Sequence, residues 1–159
     1  MKIRIERTYP HAIEHVWSAL TDARAIRQWW VDTDFEPTVG RAFFFQDTPQ
    51  GSWDGRVNGK VLEVDAPRRI RFSWLGDGHE TEVTYELFAT PSGTRFVLTH
   101  EGFRGMRGLF LRTLLRFGWG SFVKSLLPEM AAHIAAHGVA VPFAKAPKAE
   151  RVKPQAARV

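Results

Sequence analysis

The chain has 159 residues, a net charge of +5, a hydrophobic content of 44%, an aromatic content of 13% and no cysteine. That length suits one domain with a single sizeable core. The lack of cysteine excludes disulfide frameworks, thiolate metal sites and cysteine-nucleophile chemistry.

The charge is unevenly placed. Residues 142–159 carry Lys145, Lys148, Arg151, Lys153 and Arg158 against Glu150 alone, a net +4 that leaves +1 for residues 1–141. The expected organisation is a folded domain over 1–141 and a basic, Ala/Pro/Lys-rich disordered tail over 142–159. No nucleic-acid partner is expected for the folded domain. The start, Met1 to Arg7, alternates charged and apolar residues and matches neither a secretory core nor a membrane span. A cytoplasmic address and no stable membrane insertion follow as expectations.

In chain order, Lys2 to Tyr9 reads as a half-buried strand, with Ile3, Ile5 and Tyr9 on one face. Ala12, Ile13, Val16, Trp17 and Leu20 then recur at helical spacing, and Asp22 is a suitable N-cap for a second short helix through Trp29. Five strand-like runs follow: 41–47, 53–64, 69–75, 80–88 and 94–102. Pro49-Gln50-Gly51, Ala66-Pro67, Gly76-Asp77-Gly78 and Pro91-Ser92-Gly93 supply the turns between them. One parity of the later strands is apolar (Ile70, Phe72, Trp74; Val83, Tyr85, Leu87; Phe96, Leu98, His100) and the other carries Arg69, Arg71, Thr84 and Glu86. One wet face and one covered face mean an antiparallel sheet with an apolar element laid across it. That cover is the C-terminal run, where Trp119, Phe122, Val123, Leu126, Leu127, Met130 and Ile134 follow the i, i+3, i+4 rule. Pro128 should bend this helix by crowding the carbonyl of Lys124, and His137-Gly138 should end it. The Arg- and Leu-rich stretch Arg104–Arg116 reads as a lid or as an extension of the long helix ahead of a membrane-surface helix, with Gly105, Gly108 and Gly118 suggesting breaks.

The order of elements, with Val16-Trp17-Ser18-Ala19-Leu20-Thr21-Asp22, Gln28-Trp29-Trp30, Gly55-Arg56-Val57-Asn58-Gly59, Pro67-Arg68-Arg69-Ile70 and Leu98-Thr99-His100-Glu101-Gly102-Phe103, resembles the START-like (SRPBCC) superfamily. Within it the chain is most similar to the group resembling the C-terminal domain of the heat-shock protein 90 ATPase activator. The resemblance spans roughly Ile3 to His137. It implies an α+β helix-grip fold: a curved antiparallel sheet of about six strands wrapped around a long C-terminal helix, with two short helices after the first strand. It also implies an apolar cavity between sheet and helix for a hydrophobic or amphipathic small molecule. Interaction with a chaperone, and a polyketide cyclase- or hydratase-like activity, are the alternatives that the resemblance brings.

The residues themselves offer little catalytic chemistry. His11 with His15 and His133 with His137 are i, i+4 pairs without a third ligand or a general-base glutamate between them, so no metal or other cofactor is expected. Gly51, Gly55 and Gly59 are spaced as bends in a strand, not as a phosphate cradle. His100 shares the inward parity of Phe96 and Leu98, where an imidazole either serves a ligand or is satisfied by a neighbour; Tyr85 lies on the matching parity. The remaining cavity candidates are Trp29, Trp30, Phe43, Phe45, Trp53, Phe72, Trp74, Leu87, Phe96, Leu98, Phe103, Trp119, Phe122 and Leu126. These side chains either line a pocket or fill a core. Trp17 and Trp119 read as core, whereas Trp29, Trp30, Trp74 and Phe103 read as the cavity mouth.

Overall fold

A computed structural model describes residues 1–142; the segment 143–159, on which the expected tail falls, lies outside the described residues. The first strand, β1 (Lys2–Tyr9), leads into α1 (Ile13–Thr21) and α2 (Ala23–Trp29). Six strands follow: β2 (Asp32–Thr33), β3 (Ala42–Gln46), β4 (Arg56–Asp65), β5 (Arg69–Gly76), β6 (His79–Thr90) and β7 (Gly93–Glu101). A long helical run follows β7, composed of α3 (Gly105–Ser121), a π-helical segment (Phe122–Leu126) and α4 (Leu127–His137).

All seven strands form one antiparallel sheet in the order β1-β7-β6-β5-β4-β3-β2. The extra strand relative to the six expected is β2, a two-residue element that pairs Asp32 with Gln46 and Thr33 with Phe45. Its two residues are too few to leave a periodic signal. The expected elements otherwise form where the pattern places them. Asp22 caps α2, its carboxylate accepting from the Arg24 amide at 2.9 Å. The β5–β6 hairpin turns on Asp77 and Gly78, at φ 50° and 74°, the pair of left-handed conformations that a tight two-residue turn requires.

The concave face of the sheet buries Ile3, Phe43, Phe45, Ile70, Phe72, Val83, Leu87, Phe96 and Leu98. Against it lie Val16 and Leu20 of α1, Ile26 and Trp29 of α2, and Leu127, Met130 and Ile134 of α4. The opposite face is a lattice of ion pairs. Arg69 meets Glu63 at 2.9 Å and Glu86 at 3.0 Å, Arg71 meets Glu82 at 2.6 Å, and Arg95 meets Glu6 at 2.9 Å. Half-exposed pairs of this kind contribute about 0–1 kcal/mol each, so the buried side carries the fold.

The long helix is not α-helical throughout. The turn before Pro128 widens to the π form, and the Leu127 N–H reaches back five residues to the carbonyl of Phe122. In that register the donor for Val123 would be residue 128, and proline has no N–H. The phenol of Tyr9, at the end of β1, donates to the Val123 carbonyl instead. The acceptor orphaned by Pro128 is therefore satisfied from the sheet.

Gly108 proves to be no break. A side chain there would sit 3.2 Å from the Phe103 carbonyl carbon, so glycine lets α3 pack closely on the preceding loop. The Arg104–Arg116 stretch is accordingly the first half of the long helix. No helix among the described residues is long and apolar enough to cross a membrane.

Candidate functional site

The concave face is filled with rings. Phe35, Phe43, Phe45 and Phe72 form one connected group, with Phe35–Phe43 centroids at 4.8 Å and Phe43–Phe72 at 5.4 Å. Trp29, Trp30, Trp119 and Phe122 form a second, with Trp29–Phe122 at 4.8 Å and Trp30–Trp119 at 5.7 Å. Trp30–Phe45 contact at 4.9 Å joins the two. These offset and edge-on arrangements are those that ring quadrupoles favour.

Where the second group approaches the open end of the sheet, packing stops short and leaves a cleft of about 230 Å³, open to solvent on one side. Its floor is Phe45, Val57 and Trp74 of the sheet. One wall is α3, through Leu111, Leu114, Leu115, Gly118 and Trp119, and the other is Trp30 and Val31 with Trp53. Phe122 closes the inner end, and Asp47, Gln50 and Asp77 stand among the polar lining residues.

Six of the residues singled out from sequence meet here: Trp30, Phe45, Trp53, Trp74, Trp119 and Phe122. The other ten do not line the cleft. Trp29, Phe43, Phe72, Tyr85, Leu87, Phe96, Leu98, His100 and Phe103 are buried in the core, and Leu126 is packed half-buried against it. Trp29 and Phe103, expected at the mouth, are thus interior residues. Trp29 is fully buried, with its indole N–H on the Ala19 carbonyl at 3.1 Å, and Phe103 covers the His100 ring at 4.7 Å between centroids. Trp17, expected in the core, is half-buried at its margin.

His100 is satisfied on both sides. The Trp119 indole, which can only donate, gives its N–H to Nδ1 at 3.0 Å. The imidazole proton therefore resides on Nε2 and is donated to Thr81 Oγ1 at 2.7 Å. The threonine hydroxyl passes its own proton to the Trp74 carbonyl at 3.2 Å. Burial pushes the imidazole pKa down to about 3, so the ring is neutral at physiological pH. Both nitrogens are committed within the protein and the ring is outside the cleft, which leaves no free nitrogen for acid–base work on a ligand. The chain His100–Trp119 instead fixes the rotamer of a tryptophan that does line it. Burial likewise raises the Tyr85 phenol above its ordinary range, so it stays protonated.

Sequence reasoning missed Leu111, Leu114 and Leu115, which form most of one wall. Their signal was present: Leu111, Leu115, Gly118 and Phe122 continue the helical stripe of Trp119 and Val123 backwards by i, i+3 and i+4 steps. No Lys or Arg side chain of the Arg104–Arg116 stretch is among the residues that line the cleft. Among the described residues no three His, Cys, Asp or Glu side chains gather as a metal set would.

A family model described as "Activator of Hsp90 ATPase homolog 1-like protein" matches residues 10–128. The chain belongs to this family. The helix-grip architecture and membership in the START-like superfamily agree with that match. A search of curated proteins gave no match. Among solved structures, protein MLL2253 from Mesorhizobium loti is similar, with 26% identity, TM-score 0.74, and coverage of 84% of this chain and 98% of that one. CalU16 from Micromonospora echinospora shares 21% identity at TM-score 0.65, over 99% of this chain and 84% of that one. The Aha1 dimer from Colwellia psychrerythraea shares 19% identity at TM-score 0.68, over 82% of this chain and 96% of that one. These last two likenesses are of fold.

Proposed function

We propose that this activator-like domain is a small-molecule binding protein that takes an apolar or amphipathic guest into the cleft between Trp30, Trp74, Trp119 and α3. The observation that carries the reading is the cleft itself, open on one side and lined by six aromatic rings. At about 230 Å³ it lies below the usual ~300–1,000 Å³ range for drug-sized ligands. An apolar cavity of about 150 Å³ already holds benzene. The guest is therefore a small aromatic or short aliphatic group, with any longer remainder extending through the open side.

The polar lining sharpens the chemistry. Asp47, Asp77 and Gln50 are among the lining residues, and no Lys or Arg is. Neutral or cationic guests fit this lining, whereas a fatty-acid carboxylate would meet like charge. Desolvation between indole rings supplies the affinity, with a further cation–π contribution for an amine. A titration that follows tryptophan fluorescence tests the reading, using a panel of arylalkylamines, neutral aromatics and medium-chain fatty acids. Saturable quenching by amines or neutral aromatics is expected, and no saturable change with any of the three classes would overturn it. The family description favours a second reading, contact with a heat-shock protein 90 chaperone; stimulation of that ATPase by the purified chain would support it, and its absence in a direct assay would remove it.

A further inference from the structure

The outer side of α3 has no cover within the described chain. Met106, Phe110 and Phe117 are 89%, 62% and 75% exposed, and their i, i+4, i+11 spacing sets them in one line along the helix. Leu109 and Thr113 extend that line, opposite the Leu111–Leu115–Trp119 side that walls the cleft. The helix is thus apolar on two opposite sides, and the interior uses only one. An apolar stripe on a helix is normally buried against something.

Cations border the exposed line. At 100° per residue Arg107 falls on one flank and Arg112 and Arg116 on the other, with Lys124 beyond the C-terminal end. No Asp or Glu occurs from Gly105 to Pro128. Arg69, Arg71 and Arg95 of the sheet are held in ion pairs, but among the described residues no carboxylate pairs with Arg107, Arg112, Arg116 or Lys124. Arg112 is oriented by donating through Nε to the Lys2 carbonyl at 2.8 Å. Arg112, Arg116, Lys124 and the hydroxyl-bearing Thr113 and Ser121 surround a shallow hollow beside Phe117.

We propose that this side of α3 adsorbs on an anionic lipid bilayer. Phe110, Phe117 and Met106 enter the boundary between headgroups and acyl chains, while Arg112, Arg116 and Lys124 meet lipid phosphates. A row of apolar side chains bordered by uncompensated cations is the pattern such a surface complements. A second copy of the chain is a poorer occupant, because joining two α3 helices by this side would bring their arginine rows together without a carboxylate between them.

The test is co-sedimentation of the full chain with vesicles of phosphatidylcholine alone and of phosphatidylcholine with one third phosphatidylglycerol, at 0.15 M salt. Binding is expected with the anionic vesicles only. Arg116→Gln with Lys124→Gln should weaken it about 30-fold, at about fivefold for each surface cation lost. Phe110→Ser with Phe117→Ser should weaken it at least tenfold. These exposed positions leave the core intact, and an unchanged melting temperature checks that. Equal binding to neutral vesicles would overturn the proposal. So would anionic binding that neither double variant reduces, which would assign it to the basic residues 145–158. Vesicle-independent self-association lost in the Phe110→Ser/Phe117→Ser variant would replace the bilayer by a second copy, and binding of polyglutamate without vesicle binding would replace it by an acidic protein.

Discussion

Replacing Tyr9 by phenylalanine isolates one hydrogen bond. The ring, buried against Phe96 at 6.3 Å between centroids, keeps its volume, so no cavity opens. What is lost is the donor to the Val123 carbonyl, a buried acceptor for which Pro128 offers no N–H. An acceptor left unpaired in such a place costs about 1–3 kcal/mol, which for a domain of this size lowers the melting temperature by about 2–4 °C per kcal/mol. Urea denaturation at constant slope measures the change. The decisive comparison is a cycle with Pro128→Ala. Restoring the amide gives the helix its own donor for this turn, so Tyr9→Phe should cost at least 0.5 kcal/mol less in the Pro128→Ala background, about the smallest coupling such cycles resolve for residues that touch. Equal costs in both backgrounds would refute the claim that the tyrosine compensates for the proline.

Three other outcomes follow. His100 is held neutral by burial with a folded pKa near 3, below the ~6.5 of an unfolded imidazole. The unfolded chain therefore takes up the extra proton, and this residue's contribution, complete above about pH 6.5, is lost as pH falls from there towards 3, at up to about 1.4 kcal/mol per pH unit. The stability gap between wild type and His100→Gln should accordingly narrow between pH 7 and 4.5 in urea titrations; a constant gap would contradict the assignment. Gly59→Ala should destabilise by about 1–3 kcal/mol, since a Cβ would meet the Ser73 carbonyl at 2.3 Å and the Phe43 ring at 2.5 Å; calorimetry would show it. Leu115→Trp, on the half-buried wall of the cleft, should abolish fluorescence-detected binding of an arylalkylamine while the thermal transition stays cooperative, and retained affinity would place the ligand elsewhere.

The strands were legible because strand parity survives in single residues: Ile70, Phe72 and Trp74 declare a buried face whatever they pack against. The same signal does not distinguish a ring that fills from a ring that lines. Trp29 and Trp30 are adjacent and of one type, yet the first is sealed by α1 and the second reaches the cleft. Which one does so depends on the turn after α2, where Trp30 leaves helical geometry at φ −128°, ψ −86°, and no pattern of residue types encodes that angle. His100 was equally undecidable, because its partners Thr81 and Trp119 lie 19 residues away on either side. The continuity of α3 was masked by glycines whose role is close approach at Gly108 and space for the cleft at Gly118.

The sheet does not close, so it has two free margins where a stray chain could add itself as another strand. At one margin β1 presents Lys2, Arg4, Glu6 and Arg7 to water, and docking there would strip these charges of solvent. At the other, β2 is only two residues long, too brief a template for a recruited strand to hold. Charge on one flank and brevity on the other keep this β-rich protein from polymerising edge to edge.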